Sequence, residues 1–173
     1  MNNISLDDIS IRTELRPGDI GYVTYMHGAL YHKEYNYSLQ FESYVAKGLC
    51  EFYEKYNPER NRIWACEHKR SSPADKNHMI GFLLLMDRGK AAQLRYFLID
   101  PEYRGIGLGS KLMSLYMDFL HECGYKESYL WTTHELSTAA FLYKRLGFKL
   151  TEEKESMAFG KPLTEQRYDL VIP

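Results

Sequence analysis

Three glycines, Gly105, Gly107 and Gly109, follow an apolar run that ends at Ile99 and open a helical apolar pattern that begins at Leu108. Glycine lets the backbone approach a ligand closely, and the first turn of a helix presents unbonded N–H groups that carry about half a positive charge. A strand, a glycine loop and a helix in this order therefore favour a binding site for an anion such as a phosphate. The alternative is that the glycines only make a tight turn.

Two common phosphate-binding motifs do not fit this loop. A P-loop requires GxxxxGK followed by Ser or Thr, whereas here Ser110 and Lys111 follow Gly109. A dinucleotide fingerprint requires GxGxxG early in the chain with an acid about 20 residues later. The spacing Gly105-x-Gly107-x-Gly109 lies late in the chain and matches neither pattern.

Hydrophobic periodicity predicts seven strands and four helices around this loop. The predicted strands cover residues 9–15, 62–67, 79–87, 91–99, 128–132, 148–158 and 167–171, with a polar connector at residues 68–78. The predicted helices cover residues 20–31, 41–56, 108–120 and 137–146, and Ser137 is expected to cap the last of them. The order is βααβββαβαββ, with strands 62–67, 79–87 and 91–99 forming an antiparallel meander.

Length and composition indicate one globular domain, residues 1–173. The 173 residues carry 22 Lys and Arg against 23 Asp and Glu, and the net charge of -1 comes without a basic stripe, which argues against a nucleic-acid or membrane partner. Cys50, Cys66 and Cys123 form no CxxC pair and are odd in number, so we expect neither disulfides nor a metal site.

The sequence also predicts a cytoplasmic location. Residues 1–14 do not resemble a signal peptide, and no apolar run approaches the roughly 20 residues of a membrane span.

Several motifs carry a resemblance to a known family. The segment Arg104-x-x-Gly107-x-Gly109 follows Asp100-Pro101, and residues 139–143 and Leu146-Gly147-Phe148 come about 40 residues later. Together they resemble the GNAT family of N-acetyltransferases, and the order of the predicted elements agrees with that family along nearly the whole chain. The resemblance implies an α/β (α+β) fold with a central mixed, mostly antiparallel sheet of about seven strands and about four flanking helices.

A narrower resemblance concerns two further segments. His27-Gly28-x-Leu30-Tyr31-x-x-Glu34-Tyr35 and Thr132-Thr133-His134-Glu135-Leu136 are similar to the acetyltransferase half of bacterial proteins in which a MarR-type regulator is fused to a GNAT domain. No role in transcription is carried over.

The family resemblance implies acetyl-CoA as co-substrate, with no metal. Its pantetheine arm would lie between residues 94–99 and 128–132, and the N–H of Leu98 would stabilise the oxyanion. The cofactor-binding residues implied are Phe97, Leu98, Ile99, Arg104, Gly105, Ile106, Gly107, Leu108, Gly109, Ser110, Ser137 and Tyr143.

Tyr143 matches the general acid of the family, which protonates the departing thiolate. A phenol suits this role because its ordinary pKa is about 10. The alternative is a core aromatic residue in a chain with 15 tyrosines. One departure is Leu136, since many relatives have Asn at the matching position near the pantetheine; His134 or Ser137 is expected to substitute.

The general base does not follow from the pattern. Many relatives use a Glu on the strand where this chain has Arg95 and Tyr96. Glu34 and Glu42 are the candidates, with His27 and His134 behind them. The alternatives are solvated helix carboxylates, structural histidines and a chain of water molecules.

The leading hypothesis is acetyl transfer from acetyl-CoA to a primary amine of a small molecule, amino acid or peptide, by direct attack in a ternary complex. Cys123 lies outside the motifs and is not expected to act as a nucleophile. The alternative is a non-catalytic acyl-CoA-sensing or interaction module with the same fold. A homodimer that pairs through the last strands is a further expectation.

Overall fold

The computed structural model describes residues 3–69 and 78–173, which fold into one sheet between two pairs of helices. The strands are β1 (Ile9–Arg12), β2 (Arg62–His68), β3 (His78–Arg88), β4 (Ala91–Ile99), β5 (Glu127–Thr133), β6 (Lys149–Ser156) and β7 (Leu163–Val171). The helices are α1 (Asp19–Tyr35), α2 (Leu39–Glu54), α3 (Leu108–Glu122) and α4 (Ser137–Arg145). The predicted order βααβββαβαββ is confirmed. Residues 70–77 of the predicted polar connector, like residues 1–2, lie outside the described residues.

The sheet has the strand order β1-β2-β3-β4-β5-β7-β6. Every neighbouring pair is antiparallel except β4 and β5, which are parallel, so the predicted mixed and mostly antiparallel sheet is confirmed. β4 and β5 pair only where residues 91–93 face residues 127–129. Beyond Gln93 and Tyr129 the two strands diverge and leave a cleft between them.

Each face of the sheet packs against one pair of helices because the strand side chains alternate between the faces. Leu83 and Leu85 of β3 join the core under α3 and α4. Phe82, Leu84 and Met86 of the same strand join the core under α1 and α2. The sheet is therefore buried on both sides along β3, which explains why this strand is a continuous apolar run.

A β-bulge interrupts β4 next to the cleft. Phe82 of β3 faces Leu98 and Leu84 faces Arg95, so Tyr96 and Phe97 share one position opposite Leu83. Tyr96 has a φ of 56°, a left-handed conformation that is rare for a residue with a large side chain. The bulge takes Tyr96 and Phe97 out of the regular ladder and bends the strand at the cleft.

Three predicted details differ from the structure. β1 ends at Arg12 instead of residue 15, where the Arg12 guanidinium turns to Asp19 and Glu67 at 2.7 Å from each carboxylate. β7 begins at Leu163, four residues before the predicted start. Ser137 does not cap α4: it is already the first helical residue, because the Ala140 N–H donates to the carbonyl of Leu136 at 3.1 Å and makes Leu136 the N-cap.

The charged residues 152–155 lie on β6, the edge strand, and are exposed. In α1, Gly28 marks a close approach to α2, because a Cβ at this position would collide with the Glu42 side chain. Gly21 faces open space.

Candidate active site

A cavity of about 120 Å³ lies where β4 and β5 diverge. It reaches both faces of the sheet, because Tyr143 of α4 lines it on one face and Tyr31 of α1 on the other. The lining residues are His27, Tyr31, Tyr37, Phe41, Tyr44, Gln93, Leu94, Arg95, Tyr96, Phe97, Trp131, Thr132, Thr133, Leu136, Ala139, Tyr143, Phe159 and Glu165. Two ligands that enter from opposite faces of the sheet could therefore meet in this cavity.

Tyr143, the predicted general acid, lies in the cavity wall. Its ring is buried, with its centroid 6.3 Å from that of Phe97 on β4. Burial raises the pKa of Tyr143 above its ordinary value, and the neighbouring Tyr31 and Tyr116 raise that pKa further. The phenol is thus fully protonated at neutral pH, and its hydroxyl makes no hydrogen bond to residues 3–69 or 78–173. The proton is available to a ligand.

The glycine loop presents backbone N–H groups at the start of α3. Gly105 and Gly107 have φ angles of 78° and 90°, which explains why glycine is required at both positions. Gly107 is the N-cap, and the first helical N–H bonded within the turn is that of Lys111, which donates to the Gly107 carbonyl at 3.0 Å. The N–H groups of residues 108–110 precede that bond, as in any helix start, and are free for an anion.

Arg104 ties this loop to two other elements. Its Nε donates to the Ile99 carbonyl at 3.0 Å, and its Nη1 lies 3.0 Å from Glu34 Oε1 on α1. Gly105, Gly107 and Ser110 are exposed beside it, whereas Leu108 is buried and Ile106 is half-buried against the core. The loop is held in place while its backbone remains open to solvent.

The structure does not bring the two predicted carboxylate bases into the cavity. Glu34 is engaged by Arg104, and Glu42 packs against Gly28 between the two helices. Neither residue lines the cavity. His134 and Ser137 are exposed at the start of α4, where His134 Nδ1 accepts from the Thr164 N–H at 3.1 Å. Leu136 lines the cavity at the position where a polar contact was expected.

On β4, the cavity wall runs from Gln93 to Phe97. Leu98 faces Phe82 of β3, and both its side chain and that of Tyr96 belong to the core under α1 and α2. The backbone that borders the cavity is therefore that of the bulge, with Phe97 next to the predicted donor Leu98.

Glu165 is a cavity residue that the sequence analysis missed. It lies on β7 opposite Thr133 of β5, lines the cavity, and has Lys154 Nζ 3.8 Å from its Oε2. Polar and apolar residues alternate only from Arg167 to Leu170, after the polar residues 164–166, so the predicted strand began at residue 167 and left Glu165 in a loop.

His27 lies in the cavity wall as a neutral imidazole. Its side chain is buried, and its Nδ1 lies 2.8 Å from the Val23 carbonyl, so this nitrogen carries the proton. Its Nε2 is buried and has no hydrogen-bond partner. Burial lowers the pKa of His27 to about 4, outweighing the bond to Val23 that raises it. His27 therefore remains uncharged at physiological pH.

Within the part of the chain that the structure describes, no group of three or more His, Cys, Asp or Glu side chains could hold a metal ion. No helix in the same residues is long and apolar enough to cross a membrane. Cys50, Cys66 and Cys123 are free thiols.

Comparison with known proteins identifies the family. The model of the acetyltransferase (GNAT) family matches residues 29–148, so the chain belongs to this family. It is 33% identical over 70 residues to an uncharacterized N-acetyltransferase of Methanocaldococcus jannaschii, a match that covers 40% of this chain and 30% of that relative. The chain thus matches about a third of the length of this relative.

Solved structures share the fold over almost the whole chain. Spermidine N-acetyltransferase from Vibrio cholerae, in complex with CoA and spermine, superposes with a TM-score of 0.67 at 20% identity, covering 95% of this chain and 96% of that one. A protein from Salmonella typhimurium, solved with its cofactor acetyl-CoA, superposes with a TM-score of 0.70 at 16% identity, covering 96% and 95%. At these identities the likeness is one of fold.

Proposed function

We propose that the protein is an N-acetyltransferase that moves the acetyl group of acetyl-CoA to a primary amine. The observation that carries this proposal is the protonated Tyr143 phenol, without a partner among the described residues, in the cavity between the diverging strands β4 and β5. By contrast, Tyr116 in the same core has its hydroxyl 2.7 Å from Ser128 Oγ.

The residues present fit acetyl-CoA. The free N–H groups of residues 108–110 would receive the pyrophosphate, with Arg104, Gly105, Ile106 and Gly107 shaping the loop and Ser137 at the far rim. The backbone of residues 97–99 would pair with the pantetheine amides. When bound, acetyl-CoA supplies an activated thioester.

The chain's own groups would then act in direct attack, with no covalent enzyme intermediate. The N–H of Leu98, with that of Phe97 beside it, would donate to the carbonyl oxygen as negative charge develops there. Tyr143 would donate its proton to the departing sulfur. The cavity between the two faces would hold the amine in line with the acyl carbon.

For the general base we propose Glu165 in place of Glu34 and Glu42. Its carboxylate lines the cavity, whereas the two helix carboxylates are held elsewhere by Arg104 and by packing on Gly28. A carboxylate in this position attracts the ammonium form of the acceptor and takes its proton, directly or through water.

A second candidate is a non-catalytic module that binds acyl-CoA. The observation that favours it is Leu136, an apolar residue in the cavity wall beside the cofactor position. The narrower resemblance to MarR–GNAT fusion proteins, the single domain of residues 1–173, the cytoplasmic location and the homodimer remain predictions.

The test is calorimetric titration with acetyl-CoA, followed by turnover assays on a panel of primary amines with the Tyr143→Phe variant. We expect saturable acetyl-CoA binding, and in the variant unchanged affinity with kcat lowered about 100-fold. Tyr53→Phe is the matched control, because Tyr53 is exposed on α2.

Two outcomes would count against the enzyme. Absence of acetyl-CoA binding would remove the basis of both candidates. Acetyl-CoA binding without turnover of any amine in the wild type would favour the sensing module.

A further inference from the structure

We propose that the acceptor amine also carries a carboxylate, and that Arg95 binds this carboxylate in the cavity. The proposal rests on the acetyltransferase function above and assigns its acceptor to small amino acids instead of simple amines or polyamines. It follows from the state of the Arg95 guanidinium, the charges around it and the opposite charge across the cavity.

Arg95 is a buried cation whose hydrogen-bonding capacity is unused. Its side chain is only 9% exposed, and it lines the cavity. A guanidinium has five N–H donors. None of them makes a hydrogen bond to residues 3–69 or 78–173, and because Arg95 lines the cavity they are open to a ligand there.

The charge of Arg95 is also poorly compensated. The only carboxylate within 4 Å of it in the described chain is Glu51, with Oε2 3.8 Å from Arg95 Nη1. Glu51 is shared, because its Oε1 lies 2.9 Å from Arg88 Nη1 and 3.3 Å from Lys55 Nζ. Glu51 thus divides its charge among three cations, and of these three Arg95 is the one that lines the cavity.

Aromatic rings fix the guanidinium without neutralising it. Its central carbon lies 4.7 Å from the ring centroid of Tyr96 and 5.3 Å from that of Tyr44. On its far side, Arg95 Nη2 packs next to Gly48 of α2. A guanidinium group held in this way loses little conformational freedom on binding. Two of its parallel N–H groups match the two oxygens of a carboxylate.

Across the cavity, Glu165 supplies the complementary charge for an ammonium group. A small zwitterion could bind Arg95 through its anionic end and Glu165 through its cationic end at the same time. The cavity volume of about 120 Å³ is well below the roughly 300 to 1,000 Å³ of ordinary ligand pockets, which favours a small acceptor over a long polyamine.

The first measurement compares matched acceptors with the wild-type protein at saturating acetyl-CoA. Each amino acid is assayed beside its primary amide and its decarboxylated amine, together with phosphoethanolamine and spermidine. We expect kcat/KM for the free amino acids to exceed that of their amides and decarboxylated amines by roughly 10- to 100-fold.

The second measurement uses Arg95→Gln, Arg95→Lys and the control Lys47→Gln, which removes the same charge from the exposed face of α2. Arg95→Gln is expected to raise KM for the amino acid about 10- to 100-fold and to leave KM for the decarboxylated amine unchanged. Arg95→Lys should recover part of the loss. Acetyl-CoA affinity serves as the test that each variant is folded.

The proposal is overturned if the wild type acetylates decarboxylated amines or spermidine as well as amino acids, or prefers phosphoethanolamine. It is also overturned if a folded Arg95→Gln variant loses activity equally on all acceptors. These results would leave the acetyltransferase function intact, whereas a protein that binds no acetyl-CoA would refute that function instead. If Arg95→Gln does not fold, the acceptor comparison on the wild type decides alone.

Discussion

At the scale of single residues, the position of Glu165 separates it from the other carboxylates considered as the base. It lines the cavity on β7, whereas Glu42 is packed between two helices. We expect Glu165→Gln to lower kcat/KM for the best acceptor by about 100-fold without changing acetyl-CoA affinity, because the acceptor ammonium loses its proton acceptor.

Glu54→Gln is a suitable control, since Glu54 is exposed at the end of α2. Steady-state kinetics across a pH series would show the loss as a changed profile as well as a lower rate. If Glu42→Gln lowered the rate and Glu165→Gln did not, the base predicted from sequence would stand and Glu165 would be excluded.

The single residues differ in how far sequence alone could predict them. The position of Tyr143 in the cavity wall agrees with what the family resemblance of residues 139–148 implies, and the loop glycines follow from their place before a helix. Glu165 does not, because its assignment to the cavity depends on where β7 begins and on the neighbour that it meets across the sheet. Arg95 was visible only as a departure from the family, since its missing partners can be recognised only in three dimensions.

At the scale of elements, α2 packs tightly against β4 at Gly48. A Cβ there would collide with the Tyr96 hydroxyl, which is buried at the bulge. Tyr96 cannot move away freely, because its ring also packs at 5.6 Å from His27. We therefore expect Gly48→Ala to lower the free energy of unfolding by about 1 to 3 kcal/mol, measured by urea denaturation.

Gly21→Ala is the matched control on α1. Its Cβ would meet open space, and alanine favours a helix over glycine by about 1 kcal/mol, so this variant should be slightly more stable than the wild type. Equal stability changes in the two variants would show that helix propensity, and not the contact with Tyr96, dominates at Gly48.

The order of the elements was predictable from the sequence because the apolar residues of each helix or strand recur with the spacing typical of that element. The heptad-like stripes of α2 and α3 and the apolar run of β3 are local signals. The ends of β1 and β7 were predicted less accurately because contacts across the structure set them: Arg12 with Asp19 and Glu67, and Leu163 with Ser156 of β6. The start of α4 is set locally, by the bond from the Ala140 N–H to the Leu136 carbonyl.

At the scale of the whole molecule, His27 makes the stability depend on pH. Its folded pKa of about 4 lies below the value of about 6.5 expected in the unfolded chain. From about one pH unit above 6.5 the imidazole is essentially neutral in both states. As the pH falls from there towards 4, only the unfolded chain takes up the proton, so the folded state loses stability.

As the pH is lowered from about 7.5 to 5, we expect His27 to lower the free energy of unfolding by about 2 kcal/mol. The His27→Phe variant keeps an aromatic ring among Tyr31, Phe41 and Tyr96, and it should lose correspondingly less over the same range. Urea denaturation of both proteins at the two pH values measures the difference. If the unfolding free energy of the two proteins fell equally between the two pH values, the assigned role of His27 would be contradicted.

The short pairing of β4 and β5 gives the sheet an internal edge in addition to its two outer ones. Unpaired strand edges invite further chains to add to them, and proteins guard such edges to avoid aggregation. Here the α1 and α2 layer packs on one face and the α3 and α4 layer on the other, and Tyr31 and Tyr143 line the gap between the strands. We therefore expect this internal edge to receive a slender flexible ligand more readily than another polypeptide strand, so that the arrangement that gives a ligand access also protects against association.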